Sequence, residues 1–485
     1  MTTTTIDISL PDRYDMLARK AVGQLSQIIS PVDTALEHID VLHADMRASS
    51  RGTFLIIRGD SGTGKSTFIH TIGLFRNDVE TVSFPKERDI AEVLQSLGPT
   101  KHQLRIVVFE GREALTDVSK ELLEKSIHAI NSFVRTSAGE RTIVAWPANR
   151  DDLAATLASL AAEIGAEALT GLDDPIFRFQ GPTRAEFVPI VNKTLALLNQ
   201  GETLHDLGIS DERSIQLVDE SPTIGVFLAK VRRDLLSNQR QLATLVKKEI
   251  CRVWVVVLAG NEPEGDIDAL TRGTMYSADI DRMLSVTNAN IVRELKEFPE
   301  KLGMLGTYLD ARVLHVPVLA ALAAVRTYAS NNLRNMMKGA GMLAAPEKDA
   351  KERLADTNLV ASFRNTPIGA RKVGGKVGSN SIAAFEKLTS IASTNDIELN
   401  KAIAACLVDL GVVSACSYEQ DFGTGMSRRT DIVAASDSGT IRLEMMWRKK
   451  TGRAEIANYV LTKLFNYGKA IGYLSNSRTE GEFQR

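Results

Sequence analysis

The segment that most clearly predicts chemistry is the run GDSGTGKST at residues 59–67. It matches the pattern G-x-x-x-x-G-K-[ST], follows an apolar strand-like run and precedes a helical pattern. Glycines let the backbone turn its N–H groups toward phosphate oxygens, and a helix N-terminus favours negative charge. Lys65 would neutralise the β- and γ-phosphates, and the Ser66 hydroxyl would ligate Mg²⁺. The predicted nucleotide-binding residues are Gly59, Asp60, Ser61, Gly62, Thr63, Gly64, Lys65, Ser66 and Thr67.

Two polar side chains at the ends of later strand-like runs would serve this loop. Glu110 ends the run LRIVVFE, where hydrolysis requires a carboxylate near the magnesium ion. Glu113 is a second candidate, and Asn149 ends the run RTIVAWPAN. The alternative interpretation is that Glu110 is a solvated acid at a strand end.

This succession resembles the AAA+ ATPases, which have a strand, a phosphate loop and a helix, then an acid-tipped strand, an Asn-tipped strand and a helical lid. The resemblance covers about residues 50–245. It implies ATP and Mg²⁺ as cofactors, with Glu110 polarising the attacking water and Asn149 sensing the γ-phosphate. Phe109 departs from the family, since most AAA+ ATPases have an Asp–Glu pair at this point.

The same resemblance implies a homo-oligomer, because a neighbouring subunit completes an AAA+ active site with an arginine. Arg178 and Arg184 are candidates for that arginine. In the lid, Arg232 or Arg233 resembles the second sensor arginine of the family. The alternative for each is a solvated side chain.

A second group of chemically active residues lies in SRRTDIVAASDSGTIRLEMMWRKK, residues 427–450, which predicts a β-hairpin. If Asp437 and Ser438 form a two-residue turn, Asp431 lies opposite Glu444, with Cβ atoms about 5 Å apart. Carboxylates that close repel each other unless a cation lies between them, so the pair predicts a Mg²⁺ site. A bulge at Gly439 would instead send the two acids to opposite faces.

The hairpin resembles the PD-(D/E)XK nucleases, in which an aspartate and an acid-x-lysine lie on neighbouring strands. Asp431 and Glu444 match the acids, and Glu398 matches the helical acid of that family. The resemblance implies Mg²⁺-dependent DNA cleavage.

Met446 stands where the nuclease family has its lysine. Lys449, the first catalytic candidate, or Lys463 from the following helix would have to replace it. The alternatives are an inactive relative that only grips DNA and a small α/β domain with an exposed acid pair.

Basic residues near the hairpin favour DNA as a partner, because cations attract phosphates. They are Arg428, Arg429, Arg442, Arg448, Lys449, Lys450 and Arg453. Trp447 would stack on a base or, alternatively, fill the core.

Alternating strand-like and helical runs predict an α/β fold with a parallel P-loop sheet. The predicted segments are an N-terminal helical segment (1–50), a P-loop core (51–182), a helical lid (183–250), a middle α/β region (251–360), a basic Gly-rich linker (361–380) and a nuclease-like domain (381–485). The linker contains Arg364, Arg371, Lys372 and Lys376.

Composition is that of a globular protein, with 44% apolar and 24% charged residues. The formal charge of -2 excludes a polycation, so DNA contact would require a local basic patch. The three cysteines have no metal-ligand spacing and indicate a reducing compartment. No signal or membrane-spanning run is visible, which predicts a cytoplasmic protein without a membrane partner.

Together these features predict an ATP-driven protein that acts on DNA through its last domain, with protein partners in bacterial antiviral defence implied by the resemblance. The alternative is a signalling or scaffold ATPase that regulates protein partners and has an inactive last domain. A compact P-loop kinase is disfavoured because roughly 240 residues follow the lid.

Overall fold

The computed structural model of the chain describes residues 8–113, 119–171, 174–245, 251–287, 299–343, 345–366, 377–421, 429–437 and 439–474. They form two compact units. The N-terminal unit comprises Ser9–Leu198 and Glu212–Arg233, and the C-terminal unit comprises Ile8, Asn199–Asp211 and the described residues of Asp234–Arg485. Arg371, Lys372, Lys376 and Arg428 lie outside the described residues.

The N-terminal unit contains a parallel five-stranded sheet in the order β2-β3-β4-β1-β5. Its strands are β1 (Thr53–Arg58), β2 (Val79–Phe84), β3 (Leu104–Phe109), β4 (Thr142–Ala148) and β5 (Ile176–Arg178). The helices between Tyr14 and Leu198 are α1 (Tyr14–Lys20), α2 (Leu25–Ile28), α3 (Asp33–Ser49), α4 (Lys65–Phe75), α5 (Ile90–Ser96), α6 (Lys120–Val134), α7 (Asp151–Ile164), α8 (Glu167–Thr170) and α9 (Arg184–Leu198). This confirms the predicted α/β class.

Helices cover both faces of this sheet, which explains why β3 and β4 are buried along their whole length and are mostly apolar. Along β3, Ile106 and Val108 pack on the side of α3 and α4. Val107 and Phe109 face the opposite side, against α5, α6 and α7. The alternation of strand side chains thus decides which residues can approach the phosphate loop.

The C-terminal unit contains a mixed seven-stranded sheet in the order β10-β11-β12-β6-β9-β8-β7. Its strands are β6 (Cys251–Ala259), β7 (Thr271–Arg272), β8 (Ser277–Ala278), β9 (Arg312–His315), β10 (Ala415–Asp421), β11 (Arg429–Ser436) and β12 (Gly439–Arg448). The remaining helices of the described residues are α10 (Asp211–Asp219), α11 (Ile224–Leu245), α12 (Glu264–Leu270), α13 (Ile280–Val286), α14 (Pro299–Tyr308), α15 (Val318–Tyr328), α16 (Asn331–Gly339), α17 (Ala350–Ala355), α18 (Asn358–Phe363), α19 (Ser379–Asn395), α20 (Ile397–Asp409) and α21 (Arg453–Ala470).

The central pairing of this sheet differs from the predicted separation of residues 251–360 and 381–485. Strand β6 lies parallel to β12, from Cys251 beside Thr440 to Ala259 beside Arg448. Both strands are buried along most of their length and therefore require neighbours above, below and beside them. The two predicted segments consequently share one sheet and one unit.

The stretch predicted as a continuous helical lid is interrupted between α9 and α10. Gly201 and Gly208 adopt positive φ angles of 89° and 82°, which break a helix and which glycine adopts without steric cost. The segment predicted as a lid therefore consists of separate helices. No helix among the described residues is long and apolar enough to cross a membrane.

Candidate functional site

The phosphate loop connects β1 to α4 at the carboxyl edge of the N-terminal sheet. Gly62 and Gly64 have φ angles of 83° and 95°, and α4 begins at Lys65. The first N–H groups of a helix have no acceptor within it, and the helix dipole adds positive potential at the same point. The loop is therefore built to receive an anion.

The start of α11 is tied to this loop by a close backbone contact. The Gly225 N–H donates to the carbonyl of Gly62 at 2.8 Å. A Cβ at Gly225 would lie 2.8 Å from the Gly62 Cα, so both positions require glycine. This contact joins the first turn of a lid helix to the predicted nucleotide-binding residues.

Lys65 and Asn149 are brought together as predicted. The Lys65 ammonium donates to the carbonyls of Gly59 (2.5 Å) and Asp60 (3.0 Å) and to Asn149 Oδ1 (2.7 Å). Lys65 is only 6% exposed. Burial lowers its pKa to about 8, against the opposing charge of Glu113. The three close oxygens are formally neutral, so the lysine retains the capacity to pair with an anion.

Glu110 lies beside α4, where its carboxylate Oε1 is 2.7 Å from Nε2 of His70. The His70 ring is stacked on Tyr14, with centroids 4.7 Å apart. His70 follows Ser66 by one helical turn and shares its face of α4. Glu110 and Ser66, the predicted magnesium ligands, are thus on the same side of the sheet. Sequence reasoning missed His70, although its four-residue spacing from Ser66 was a usable signal.

Phe109 is fully buried on the opposite face of β3, where its ring lies 6.1 Å from that of Phe84. Because strand side chains alternate, residue 109 points away from α4 while residue 110 points toward it. The apolar residue at this position follows from the core that surrounds it.

Glu113 also lies in the neighbourhood of the phosphate loop. Its carbonyl accepts from the Asn149 N–H at 2.8 Å, and its carboxylate accepts from the Gly111 N–H at 3.2 Å. Of the nearby carboxylates, Glu113 acts most strongly on the pKa of Lys65. It therefore remains a second candidate beside Glu110.

The predicted arginine-finger candidates have different environments. Arg178 is paired with Asp151 at 3.0 Å, and Asp151 also pairs with Arg58 at 3.0 Å. Arg58 in turn contacts Asp60 of the phosphate loop at 2.9 Å. Arg178 thus belongs to an ion-pair network at the loop, whereas Arg184 is exposed at the start of α9.

The lid arginine Arg232 is engaged away from the phosphate loop. Its guanidinium contacts Asp12 at 2.6 Å, and this pairing lowers the pKa of Asp12. A role for Arg232 at the nucleotide would therefore require this ion pair to open.

In the C-terminal unit, Glu444 lies on β12 with 1% of its surface exposed. Lys463 contacts its Oε2, and the Tyr467 hydroxyl donates to its Oε1 at 2.7 Å. Lys463 and Tyr467 are four residues apart on α21 and so share one helix face. Both oxygens of this buried carboxylate have partners from a single helix.

The hairpin has the predicted two-residue register, with Ser436 opposite Gly439 and Ile432 opposite Leu443. Asp431 lies one step beyond the last pair and accepts the Met445 N–H at 2.6 Å. Burial, followed by the charge of Glu444, raises the pKa of Asp431 to about 7. The two acids therefore repel each other electrostatically, as the sequence predicted.

The lysine beside these two acids is Lys463 and not Lys449. Lys449 is exposed and pairs with Glu386 at 3.6 Å, because it lies beyond the end of β12. Met446 is fully buried among the apolar side chains between the sheet and α21. The prediction that Lys449 lies at the acid pair is thus wrong, and the lysine that contacts Glu444 is Lys463, the alternative.

Glu398, proposed as the helical acid, is engaged elsewhere. It accepts from Ser330 at 2.5 Å and from Lys401 at 2.8 Å. Asp396, just before α20, instead acts on the pKa of both Asp431 and Lys463. The sequence pattern pointed to Glu398, and Asp396, two residues before it, was therefore missed.

The predicted basic patch is only partly exposed. Arg442 is buried and donates to Thr430 at 2.8 Å. Trp447 is also buried, and its indole donates to Asn400 at 2.9 Å, which confirms the core interpretation. Arg429 and Lys450 are exposed. Any phosphate contact on the described residues would depend on such outward-facing cations.

Comparisons with solved structures find likenesses at low identity. Thermotoga maritima RuvB, a Holliday junction branch migration motor, is 19% identical over 49% of this chain and 67% of the RuvB chain, with a TM-score of 0.29. A variant of the same RuvB is 15% identical over 78% of this chain and 98% of its own, with a TM-score of 0.30. No protein-family profile and no curated protein matches the sequence. The α/β assignment therefore rests on the sheets themselves.

Proposed function

We propose that the N-terminal unit binds and hydrolyses ATP as an AAA+-like module. The observation that carries this proposal is the buried Lys65 ammonium, which is held by two loop carbonyls and Asn149 at the mouth of α4. A buried cation whose close partners are neutral is stabilised by an incoming anion. A triphosphate supplies that anion.

The residues around the loop divide the work of this reaction. The N–H groups of the phosphate loop bind phosphate oxygens, and Lys65 neutralises their charge. Ser66 and Glu110 would hold Mg²⁺, which supplies further charge neutralisation when bound. Asn149 orients Lys65 now and would contact the γ-phosphate, while Glu110 would polarise the attacking water.

ATPase activity of Lys65→Met tests this proposal. Loss of the ammonium should lower the rate at least about 100-fold, the usual effect of removing one preorganised electrostatic contact. Lys125→Met is the control, because Lys125 is exposed on α6 and pairs only loosely with Asp89, at 3.7 Å. Equal rates for the two variants would contradict the proposal.

We further propose that the ATP state controls an action of the C-terminal unit on DNA. The protein would work as a homo-oligomer, and it would act with protein partners in bacterial antiviral defence. The acid–lysine cluster at Glu444 and the exposed cations Arg429, Lys449 and Lys450 support a nucleic-acid ligand. Wild-type ATPase should rise with DNA, and binding should weaken as salt increases. Intact ATPase without DNA binding would instead favour the scaffold function.

A second candidate function is Mg²⁺-dependent DNA cleavage at Asp431 and Glu444, favoured by the ammonium of Lys463 beside Glu444. The donors suit Mg²⁺. Burial and then the charge of Glu444 raise the pKa of Asp431 to about 7, and a divalent cation would relieve the repulsion between the two carboxylates. Plasmid should be cut by the wild type with ATP and Mg²⁺, but not by Glu444→Gln. Glu455→Gln, which removes an exposed partner of Arg448, is the control. An uncut plasmid with wild type would exclude this function.

A further inference from the structure

A third polar cluster lies in the C-terminal unit at the carboxyl edge of the parallel strands β6 and β9. Glu262 follows β6, Glu264 is the first residue of α12, and His315 is the last residue of β9. One potential ligand atom of each lies within 4.8 Å of those of the other two. This edge is where open α/β sheets place their ligands. Neither site described above uses these residues.

The two ring nitrogens of His315 have different environments. His315 is 2% exposed, and its Nδ1 hydrogen-bonds Glu264 Oε1 at 3.3 Å. Its Nε2 lies 3.1 Å from Glu262 Oε2. Among the described residues, however, neither of these two buried atoms has a hydrogen-bond partner. His315 Nε2 and Glu262 Oε2 face each other without a hydrogen bond, which is the arrangement expected of two ligand atoms that bind one cation.

The surroundings hold this arrangement in place. The other oxygen of Glu262 accepts the Val318 N–H at 3.0 Å, which fixes the carboxylate. The backbone N–H of His315 donates to the side-chain oxygen of Asn358 at 2.9 Å, which fixes the end of β9. If Nδ1 donates its proton to Glu264, the lone pair of Nε2 is directed to Glu262, as in carboxylate–histidine–metal groups. The side chains of Glu262 and Glu264 are 26% and 44% exposed, so an ion can enter from solvent.

We propose that His315 Nε2 and Glu262 Oε2 ligate a divalent transition-metal cation, with Zn²⁺ as the probe, and that Glu264 orients the imidazole. The imidazole nitrogen selects such ions over Mg²⁺ and Ca²⁺, which prefer oxygen ligands alone. The competing explanation is a protonated histidine between two carboxylates. That arrangement would place a hydrogen bond at both ring nitrogens, and only Nδ1 has one.

Calorimetric titration of the chelator-treated full-length chain with ZnCl₂, without nucleotide, tests the proposal. The wild type should bind one Zn²⁺ at this site, and equimolar MgCl₂ should not compete. Glu262→Gln keeps the acceptor for Val318 but should weaken Zn²⁺ binding at least about tenfold. Glu347→Gln is the matched control, since that side chain is 24% exposed and also ion-paired. Its Zn²⁺ affinity should equal that of the wild type.

Two results would overturn the proposal: no stoichiometric Zn²⁺ binding by the wild type, or equal affinities for Glu262→Gln and Glu347→Gln. Circular dichroism establishes that each variant is folded. If Glu262→Gln does not fold, Glu264→Gln replaces it, because Glu264 is more exposed. That variant should weaken Zn²⁺ about tenfold through loss of orientation, and an unchanged affinity would equally contradict the assignment.

Discussion

Two buried lysines, one in each unit, have opposite electrostatic environments. Lys65 is surrounded by carbonyl and amide oxygens, and burial lowers its pKa to about 8. Burial also acts to lower the pKa of Lys463, but the charges of Glu444 and Asp431 outweigh it and leave that pKa raised. Lys463, in the C-terminal unit, is thus neutralised by a carboxylate of the protein. Lys65, in the N-terminal unit, has only neutral oxygens as its close partners.

This difference indicates what each site requires from outside. Lys65 gains a direct anionic partner only when a ligand such as a phosphate arrives, which suits a binding site. Lys463 already contacts its carboxylate, so the C-terminal cluster can hold its shape before any ligand binds.

The largest expected effect is the loss of stability in Lys463→Met. Glu444 would remain buried without its cation, and removing one partner of a buried ion pair costs about 3–5 kcal/mol. Chemical denaturation measures this. The double variant Lys463→Met with Glu444→Gln should recover part of the loss, because no carboxylate is then stranded. A double variant less stable than the single one would contradict the pairing.

The pH dependence of Asp431 should be the next largest effect. Its folded pKa of about 7 lies above the ordinary 3.8, so the folded state holds a proton that the unfolded state releases. Its contribution to stability is full below pH 3.8 and is lost as pH rises through 7. Relative to the wild type, Asp431→Asn should gain up to roughly 4 kcal/mol between pH 4 and 7. Parallel denaturation curves for the two proteins would contradict this.

Lys65 should have the opposite pH dependence in the nucleotide-free protein. Its folded pKa of about 8 lies below the ordinary 10.5, so the unfolded state holds more protons between those values. The free energy of unfolding should therefore rise from pH 8 to 10.5, by up to roughly 3 kcal/mol. Lys65→Met should lack this rise. A slope retained by the variant would assign the effect to another group.

The smallest expected effect concerns His70, which contacts Glu110 on the face of α4 that carries Ser66. His70→Asn should raise the Mg²⁺ concentration for half-maximal ATPase about tenfold, as for loss of a group that orients a metal ligand. His128→Asn, on the exposed side of α6, is the control. An unchanged Mg²⁺ requirement would leave Glu113 as the better candidate for the catalytic acid.

The sequence predicted the features that depend on local pattern. The loop motif, the strands around it and the hairpin register are all set by neighbouring residues, and each was confirmed. It could not predict the pairing of β6 with β12, because two strands that are buried on both faces carry no local signal for which strand lies beside them. The division into units differed from the predicted segments for the same reason.

Contacts between side chains that are far apart in the sequence could not be predicted from local pattern either. Lys463 on α21 contacts Glu444 from nineteen residues away in sequence, whereas the nearer Lys449, the natural candidate, pairs with Glu386. His315 lies beside Glu262 and Glu264, more than fifty residues away in sequence, because β6 and β9 pair in parallel. Phe109 departs from the family pattern because the alternation of β3 directs its side chain into the core, on the face opposite to Glu110.

The most direct test of the contrast between the lysines is calorimetric binding of a non-hydrolysable ATP analogue with Mg²⁺. The wild type and folded Lys463→Met should bind one analogue per chain with the same affinity, while Lys65→Met should bind at least about 100-fold more weakly. Undiminished binding by Lys65→Met, or no binding by the wild type, would contradict the account.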